Sequence, residues 1–195
     1  MNLGTVATIR SGLVLSRKLS RESSPYRYPL LNLRAIHPDE YILPDSLEVF
    51  YATEPLRQEY LTQQGDIIIR LSIPYTAILI DSEIAGMVVS SNFAIIRSNQ
   101  DYILPGYLLW LLNTPDTKKK IYESTSSNML SAVRPTFFSE MEILPLTLAE
   151  QERIAKLNLL AKQETRLLKK LADEKEKYYA AVINRAQKSM RRNIP

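Results

Sequence analysis

"ILPLTLAEQERIAKL", residues 143–157, sets two opposite structural signals side by side. Ile143 to Leu146 is an apolar run broken by Pro145, and it reads as the end of a strand. Thr147, Leu148, Ala149 and Glu150 then match a capping box. The Thr147 hydroxyl can accept from the third helical amide, and the Glu150 carboxylate can reach back to the Thr147 amide. From Leu146 to Ile194 there is neither glycine nor proline, only a run rich in Ala, Leu, Lys, Glu, Arg and Gln. Those residues have high helix propensity. The stretch predicts a joint between a globular domain, residues 1–146, and one long helix, residues 147–192.

Punctuation on the other side of the joint agrees. All five glycines lie at or before Gly106, and ten of the eleven prolines at or before Pro145. Between these breakers lie short runs rich in β-branched and aromatic residues: 5–9, 28–36, 47–52, 66–71, 76–80 and 87–97. The pattern changes at "PGYLLWLLNTP" (105–115), where paired leucines fit a buried helix opened by proline. A short helix over about 114–123 should follow, then a polar loop (124–135) and a last strand at 142–146. The predicted class is α+β: a mixed-sheet domain followed by a long, coiled-coil-like C-terminal helix.

At about 1.5 Å per residue, 40 helical residues span roughly 60 Å, more than a small domain is wide. The distal part of such a helix needs another partner. Its apolar stripe runs Ile154, Leu157, Ala161, Leu168, Leu171, Tyr178 and Val182 in alternating steps of three and four, interrupted at Glu164 and Lys175. Leu160 and Leu167 widen it. This predicts a seam for a second helix rather than a stripe folded back on its own domain.

Composition excludes several classes. With no cysteine the chain can form neither a disulfide nor a thiolate metal site, and a single histidine, His37, leaves no histidine cluster. "MNLGTVATIR" lacks a basic start followed by an apolar segment, so no signal peptide is expected. The longest apolar stretch, residues 66–80, is interrupted by Arg70 and Pro74, so no membrane span is expected. A cytoplasmic location follows as the expectation.

Enzyme motifs are absent. The chain has no Walker-type or dinucleotide-type glycine loop, no Gly-x-Ser-x-Gly, and no Pro-Pro dipeptide of the kind an amino-methyltransferase motif needs. A metal-nuclease reading of "PDSLEVF" fails because Phe50 stands where a lysine is required, and the Glu-x-Lys of "DEKEK" lies on the charged helix.

Binding has better support, from loop composition rather than from charge alone, where a solvated surface is the favoured reading. Residues 149–195 carry 12 Lys/Arg against 6 Asp/Glu, a net +6, whereas residues 1–148 carry 13 against 15, a net −2. Residues 1–38 hold six cations against Glu22 alone, and residues 39–59 hold six acids against Arg57 alone. A basic stripe suits a polyanion; the alternative is a solvated surface whose charges balance in three dimensions. Four loops mix cations with hydroxyls or amides, at 10–28, 70–75, 89–92 and 124–134. Phosphate and base contacts draw on these residue types. The candidate DNA contacts are Arg10, Arg17, Lys18, Arg21, Arg27, Arg70, Tyr75, Ser91, Asn92, Ser127, Asn128 and Arg134.

The order of features carries a resemblance. "LGTVATIRSG" opens the chain, "GDIIIR" and "VVSSNFAIIR" follow, and "EILPLTLAEQERIAKL" leads into the helix. This resembles one half of a type I restriction–modification specificity subunit. In that family a target-recognition domain starts with Leu-x-x-Val/Ile and Ser-Gly, here Leu3, Val6, Ser11 and Gly12. It has a Gly-Asp turn before a strand, here Gly65-Asp66. It ends in an apolar, proline-containing junction running Glu-Gln-x-x-Ile, here Pro145, Glu150, Gln151 and Ile154, with Thr147 and Leu148 where the family often has a second proline. The resemblance implies sequence-specific recognition of double-stranded DNA, docking of DNA methyltransferase (modification) subunits on the helix, and a restriction subunit joined through the complex. It implies no catalysis and no cofactor in this chain, because S-adenosylmethionine and ATP belong to the other subunits. A full-length subunit has two recognition domains and two antiparallel helices; this chain has one of each, which implies pairing as an antiparallel homodimer. The rival is a globular head on a coiled-coil stalk that binds no nucleic acid.

Overall fold

Three consecutive isoleucines set the layers of the fold. Ile67, Ile68 and Ile69 are each 0% exposed, and successive strand residues point to opposite faces. Their strand must be covered on both sides, so it reads as an unbroken apolar run. The structure, a computed structural model, describes residues 1–21, 24–125 and 132–192.

The strands are β1 (Ala7–Ser11), β2 (Tyr26–Leu31), β3 (Glu48–Ala52), β4 (Ile67–Arg70), β5 (Ala77–Leu79), β6 (Val88–Val89) and β7 (Phe93–Ser98). The helices are α1 (Pro105–Asn113), α2 (Pro115–Thr125), α3 (Pro135–Glu140) and α4 (Leu148–Arg192). One sheet runs β1-β7-β4-β5, every neighbour antiparallel. The other runs β3-β2-β6 and is mixed, with β2 antiparallel to β3 and parallel to β6. This is the α+β class that the sequence predicts.

The first sheet divides the core. Ile67, Ile69, Ala94 and Ile96 cluster with Leu108 and Leu112 of α1, Ile121 of α2 and Phe138 of α3. On the opposite face Ile68, Ile78 and Ile95 cluster with Leu31, Met87 and Val89. The outer edge of β5 is covered by a side chain: Asn113 accepts from the Ala77 N–H at 3.1 Å and donates to the Ala77 carbonyl at 2.9 Å. An amide standing in for a strand satisfies an edge that would otherwise be open.

Two glycines of the resemblance have physical reasons. Past β1 the chain crosses from one sheet to the other, the Gly12 N–H donating to the Phe93 carbonyl and the Leu13 N–H to the Val89 carbonyl. A Cβ on Gly12 would lie 2.2 Å from the Ser90 carbonyl oxygen, so no other residue passes there. Gly65 has φ +88°, which favours glycine. Its neighbour Asp66 is 0% exposed and accepts from Arg97 Nε and Nη2 at 2.7 and 2.8 Å, and from the Gln63 N–H at 2.8 Å. The hydrogen bond to Asp66 raises the Arg97 guanidinium above its ordinary pKa.

At the joint the expected strand 142–146 does not form. Glu142 makes one bridge to Asn2, and the Ile143 N–H donates to the Met1 carbonyl at 2.8 Å. Pro145 has no N–H with which to extend a ladder. The short helix α3, opened by Pro135, was not foreseen in the polar loop before it. The capping box forms as expected: Glu150 Oε2 accepts from the Thr147 N–H at 2.8 Å and from its hydroxyl at 2.7 Å, while the Glu150 N–H donates to Thr147 Oγ1 at 3.3 Å. These bonds hold the Glu150 carboxyl below the usual carboxylate range.

One turn on, Gln151 is 1% exposed and fully bonded. It accepts from the Leu104 N–H at 2.8 Å and donates to the Tyr102 and Leu146 carbonyls at 2.9 and 3.0 Å. Ile154 packs against the α-helical side of the core, so it belongs to the domain. A Cβ on Gly106 would meet the Ala155 Cβ at 3.0 Å, a close approach between α1 and α4.

Packing divides the chain into two units, Met1–Ala155 and Lys156–Pro195. The composition change at residue 146 marks where the helix begins, and the packing boundary falls inside the helix, after Ala155. In the second unit every residue from 159 to 190 is exposed. Among the described residues, no helix is long and apolar enough to cross a membrane.

Candidate nucleic-acid interface

Strand register sorts the domain into two ends. At one end Ala7 pairs with Ser98, and Ile67 with both Leu79 and Ile96. The Gly65 turn and the start of α1 lie here, with Gln151 bonded to the segment before α1. At the other end Ser11 pairs with Ala94, and Arg70 with Phe93. From this end the polar loops leave the sheet. One end anchors the helix, and the other presents loops.

The loop end brings several candidates together. The Leu71 N–H donates to the Asn92 carbonyl at 3.0 Å, and the Val133 N–H donates to the Leu71 carbonyl at 2.8 Å. Arg70, Ser91, Asn92 and Arg134 therefore sit on three adjoining segments. Ser91, Asn92 and Arg134 are exposed, and Arg70 is half-buried. Arg17 is exposed in a 3-10 turn, Leu15–Arg17, shortly beyond the Gly12 crossing. Ser127 and Asn128 lie outside the described residues.

Other candidates have different surroundings. Tyr75 is 3% exposed, and its hydroxyl lies 3.2 Å from Thr125 Oγ1 in the core, so it presents nothing to a ligand. Arg10 Nη1 is ion-paired to Glu59 at 2.9 Å, and Lys18 is paired to Glu54. The Lys18 ammonium holds the Glu54 carboxyl below its ordinary pKa. Arg27 lies on the exposed part of β2, opposite Tyr51 of β3, several residues from the β2–β6 pairing at Leu30 and Leu31. Arg21 is exposed.

The basic stretch is thus partly neutralised by the acidic stretch that follows it in sequence. Among the described residues Arg17, Arg21, Arg27, Arg70 and Arg134 make no ion pair. Charge density alone therefore marks less of this surface than the sequence suggests, and placement at the loop end marks more. Tyr51 was not singled out from the sequence. The alternation in "EVFYA" could have found it, because that period places Val49 and Tyr51 on the face opposite buried Phe50 and Ala52.

Arg70 is unusual in its setting. Its Nε is shielded from solvent with no acceptor, and its Nη2 donates to the Ile73 carbonyl at 3.3 Å. Burial pushes its guanidinium below the ordinary arginine pKa. For metal chemistry the surface offers little: among the described residues no group of three His, Cys, Asp or Glu side chains is placed to hold an ion.

On the helix, Leu157, Leu168, Leu171, Tyr178 and Val182 are 63, 59, 52, 63 and 44% exposed, and Ala161 is also exposed. Of the predicted seam only Ile154 is taken up by the domain core.

A mixed-sheet α+β domain with polar loops at one end and the start of a long helix bonded at the other defines a class of two-part architecture. No family model matches the chain, and no curated protein matches it. Solved structures do match. The HsdS subunit from Thermoanaerobacter tengcongensis aligns over 93% of this chain and 46% of its own, with TM-score 0.67 and 17% identity. A structure described as the basis of complex assembly and conformational transition of the type I R-M system aligns over 97% and 48%, with TM-score 0.66 and 19% identity. The type I restriction–modification S subunit from M. genitalium aligns over 87% and 40%, with TM-score 0.53 and 15% identity. The chain spans about half the length of the solved structures it matches, at 46, 48 and 40%. In fold it is similar to one half of a type I restriction–modification specificity subunit, the resemblance its sequence carries.

Proposed function

We propose that this chain is a sequence-specific DNA-recognition subunit of a type I-like restriction–modification system. It directs methyltransferase subunits, and through the complex a restriction subunit, to a double-stranded site. It performs no chemistry itself and carries no cofactor. The observation that supports this most is the likeness of nearly the whole chain, 93 and 97% in two cases, to half of such subunits. The placement of Arg70 and Arg134, which make no ion pair among the described residues, with polar loops at the end of the sheet away from Gln151 adds to it.

The proposed active form is a homodimer in which the exposed stripe from Leu157 to Val182 packs on the same stripe of a second copy. Antiparallel pairing suits the charges. Past Tyr178 the helix carries Arg185, Lys188, Arg191 and Arg192 and no acid, while its start balances Glu150 and Glu152 with Arg153 and Lys156. Antiparallel copies set each basic end against a partner's neutral start; parallel copies stack the basic ends. Two domains joined by a helix pair of fixed length would hold two half-sites at a fixed spacing.

The second reading, a head on a stalk that binds no nucleic acid, is favoured by the ion pairs that neutralise Arg10 and Lys18. Selection from a randomised duplex pool, with the cognate methyltransferase subunit present, separates the two. An enriched two-part motif is the expected result. Recovery of no motif would leave the stalk reading standing.

A further inference from the structure

The loop end carries several arginines, and among the described residues one of them, Arg70, is held by its surroundings. Arg17 and Arg134 are exposed. Arg70 ends β4 in register with Phe93 of β7, and its N–H donates to the Thr76 carbonyl at 3.1 Å. The next residue, Leu71, is bonded to Asn92 on one side and Val133 on the other. The backbone that carries Arg70 is therefore fixed in three directions. Its side chain is fixed as well, with Nε sealed inside and Nη2 at the surface, bonded to the Ile73 carbonyl. Among the described residues no carboxylate pairs with it.

This arrangement suits one kind of contact better than another. Attraction to a phosphate is weakly directional, and a mobile exposed arginine supplies it. Reading a base edge needs a rigid fork presented from a rigid element. With Nε turned inward, the outward edge of Arg70 is its Nη1–Nη2 pair, and this fork matches N7 and O6 of guanine.

We infer that Arg70 reads a guanine in the major groove through its Nη pair, while the exposed Arg17 and Arg134 hold phosphates. The inference rests on the DNA-recognition reading above and narrows it to one side chain and one base.

The test uses the full chain with its cognate methyltransferase subunit and the duplex selected by the wild-type protein. Each guanine of the motif is replaced in turn by 7-deazaguanine, which lacks the N7 acceptor. One position per half-site is expected to weaken binding by about tenfold or more. Arg70→Gln should relax the choice of base at that position alone and should no longer respond to 7-deazaguanine there, and Arg70→Lys, which replaces the fork by one ammonium that can still reach guanine, should respond less than the wild type. Arg17→Gln should weaken all sequences alike and flatten the salt dependence by about one contact. Arg70→Lys keeps the charge and the stem, so the test survives if the glutamine variant unfolds. The 7-deazaguanine scan on wild-type protein needs no variant at all.

The inference is overturned if no guanine is sensitive in the wild type, if both Arg70 variants keep the sensitivity, or if they weaken every sequence equally. Failure of the wild type to select any motif is a distinct result: it removes the DNA-recognition reading, and this inference with it.

Discussion

The Gln151 side-chain oxygen accepts the backbone N–H of Leu104 at 2.8 Å, bonding the second turn of the long helix to the segment that opens α1. The same amide donates to two further carbonyls, Tyr102 and Leu146. Removing it leaves one donor and two acceptors in a site that is 1% exposed. Gln151→Ala should destabilise the domain by about 2–3 kcal/mol, the scale set by buried groups left without partners. Gln151→Glu keeps the shape but cannot donate to the two carbonyls, so it should not restore the loss. Denaturant unfolding of the full chain measures both, and a Gln151→Glu variant as stable as wild type would contradict this account.

The Asp66–Arg97 pair should respond unequally to the loss of either partner. The Asp66 side chain is 1% exposed and that of Arg97 38%. Asp66→Asn frees a guanidinium that can turn to water, and should cost about 1–2 kcal/mol, near the low end for a charged hydrogen bond. Arg97→Met leaves a buried carboxylate with no cation, and should cost about 3–5 kcal/mol. Equal losses in thermal unfolding at neutral pH would show that burial does not set the asymmetry.

Legibility in the sequence followed how local the signal is. The capping box needs only residues 147–150, and it formed as written. The strands over 47–52, 66–71 and 76–80 were readable because each is one short run bounded by turn residues. The run 87–97, one β-rich stretch in composition and a strand pair through the resemblance, is β6 and β7, separated at Ser90–Asn92. That the two strands belong to different sheets depends on Gly12 arriving from far away in sequence, and no local pattern records it. The same holds for the site. Loop composition picked out Arg70, Asn92 and Arg134, but only strand register shows that they share an end. The burial of Tyr75 depends on Thr125, fifty positions further on.

Stability of the helix start should depend on pH with a definite sign. The folded-state pKa of Glu150 is lowered, first by the Thr147 hydroxyl and then by the Thr147 amide. A depressed carboxyl contributes stability above its unfolded value, about 4.5 here, and loses it as pH falls through the folded value. Glu54 and Glu174 are lowered as well, so the wild-type curve alone does not isolate the cap. The difference between wild type and Glu150→Gln does. It should be constant at neutral pH and shrink below about pH 4.5. Thr147→Ala should cost about 1 kcal/mol at neutral pH by removing the cap hydroxyl. Thermal unfolding followed by far-ultraviolet dichroism at stepped pH reads both, and a difference that grows on acidification would reverse the sign.

The helix stripe separates folding from association. Leu168 and Leu171 are 59 and 52% exposed, so a polar side chain at either position should change the unfolding of the domain by less than about 0.5 kcal/mol. In a two-fold pair each leucine is counted twice, and burying a leucine side chain is worth about 1.5–3 kcal/mol. Leu168→Glu with Leu171→Glu also sets like charges across the seam. The double variant should weaken self-association by at least about a thousandfold, since every 1.4 kcal/mol is a factor of ten. Light scattering at micromolar concentration should give a dimer for the wild type and a monomer for the double variant, with the thermal midpoint of the domain kept. If methyltransferase subunits need the helix pair, the monomer should also fail to recruit them to a duplex that its single recognition domain still binds. A double variant that remained a dimer would place the interface elsewhere than on this stripe.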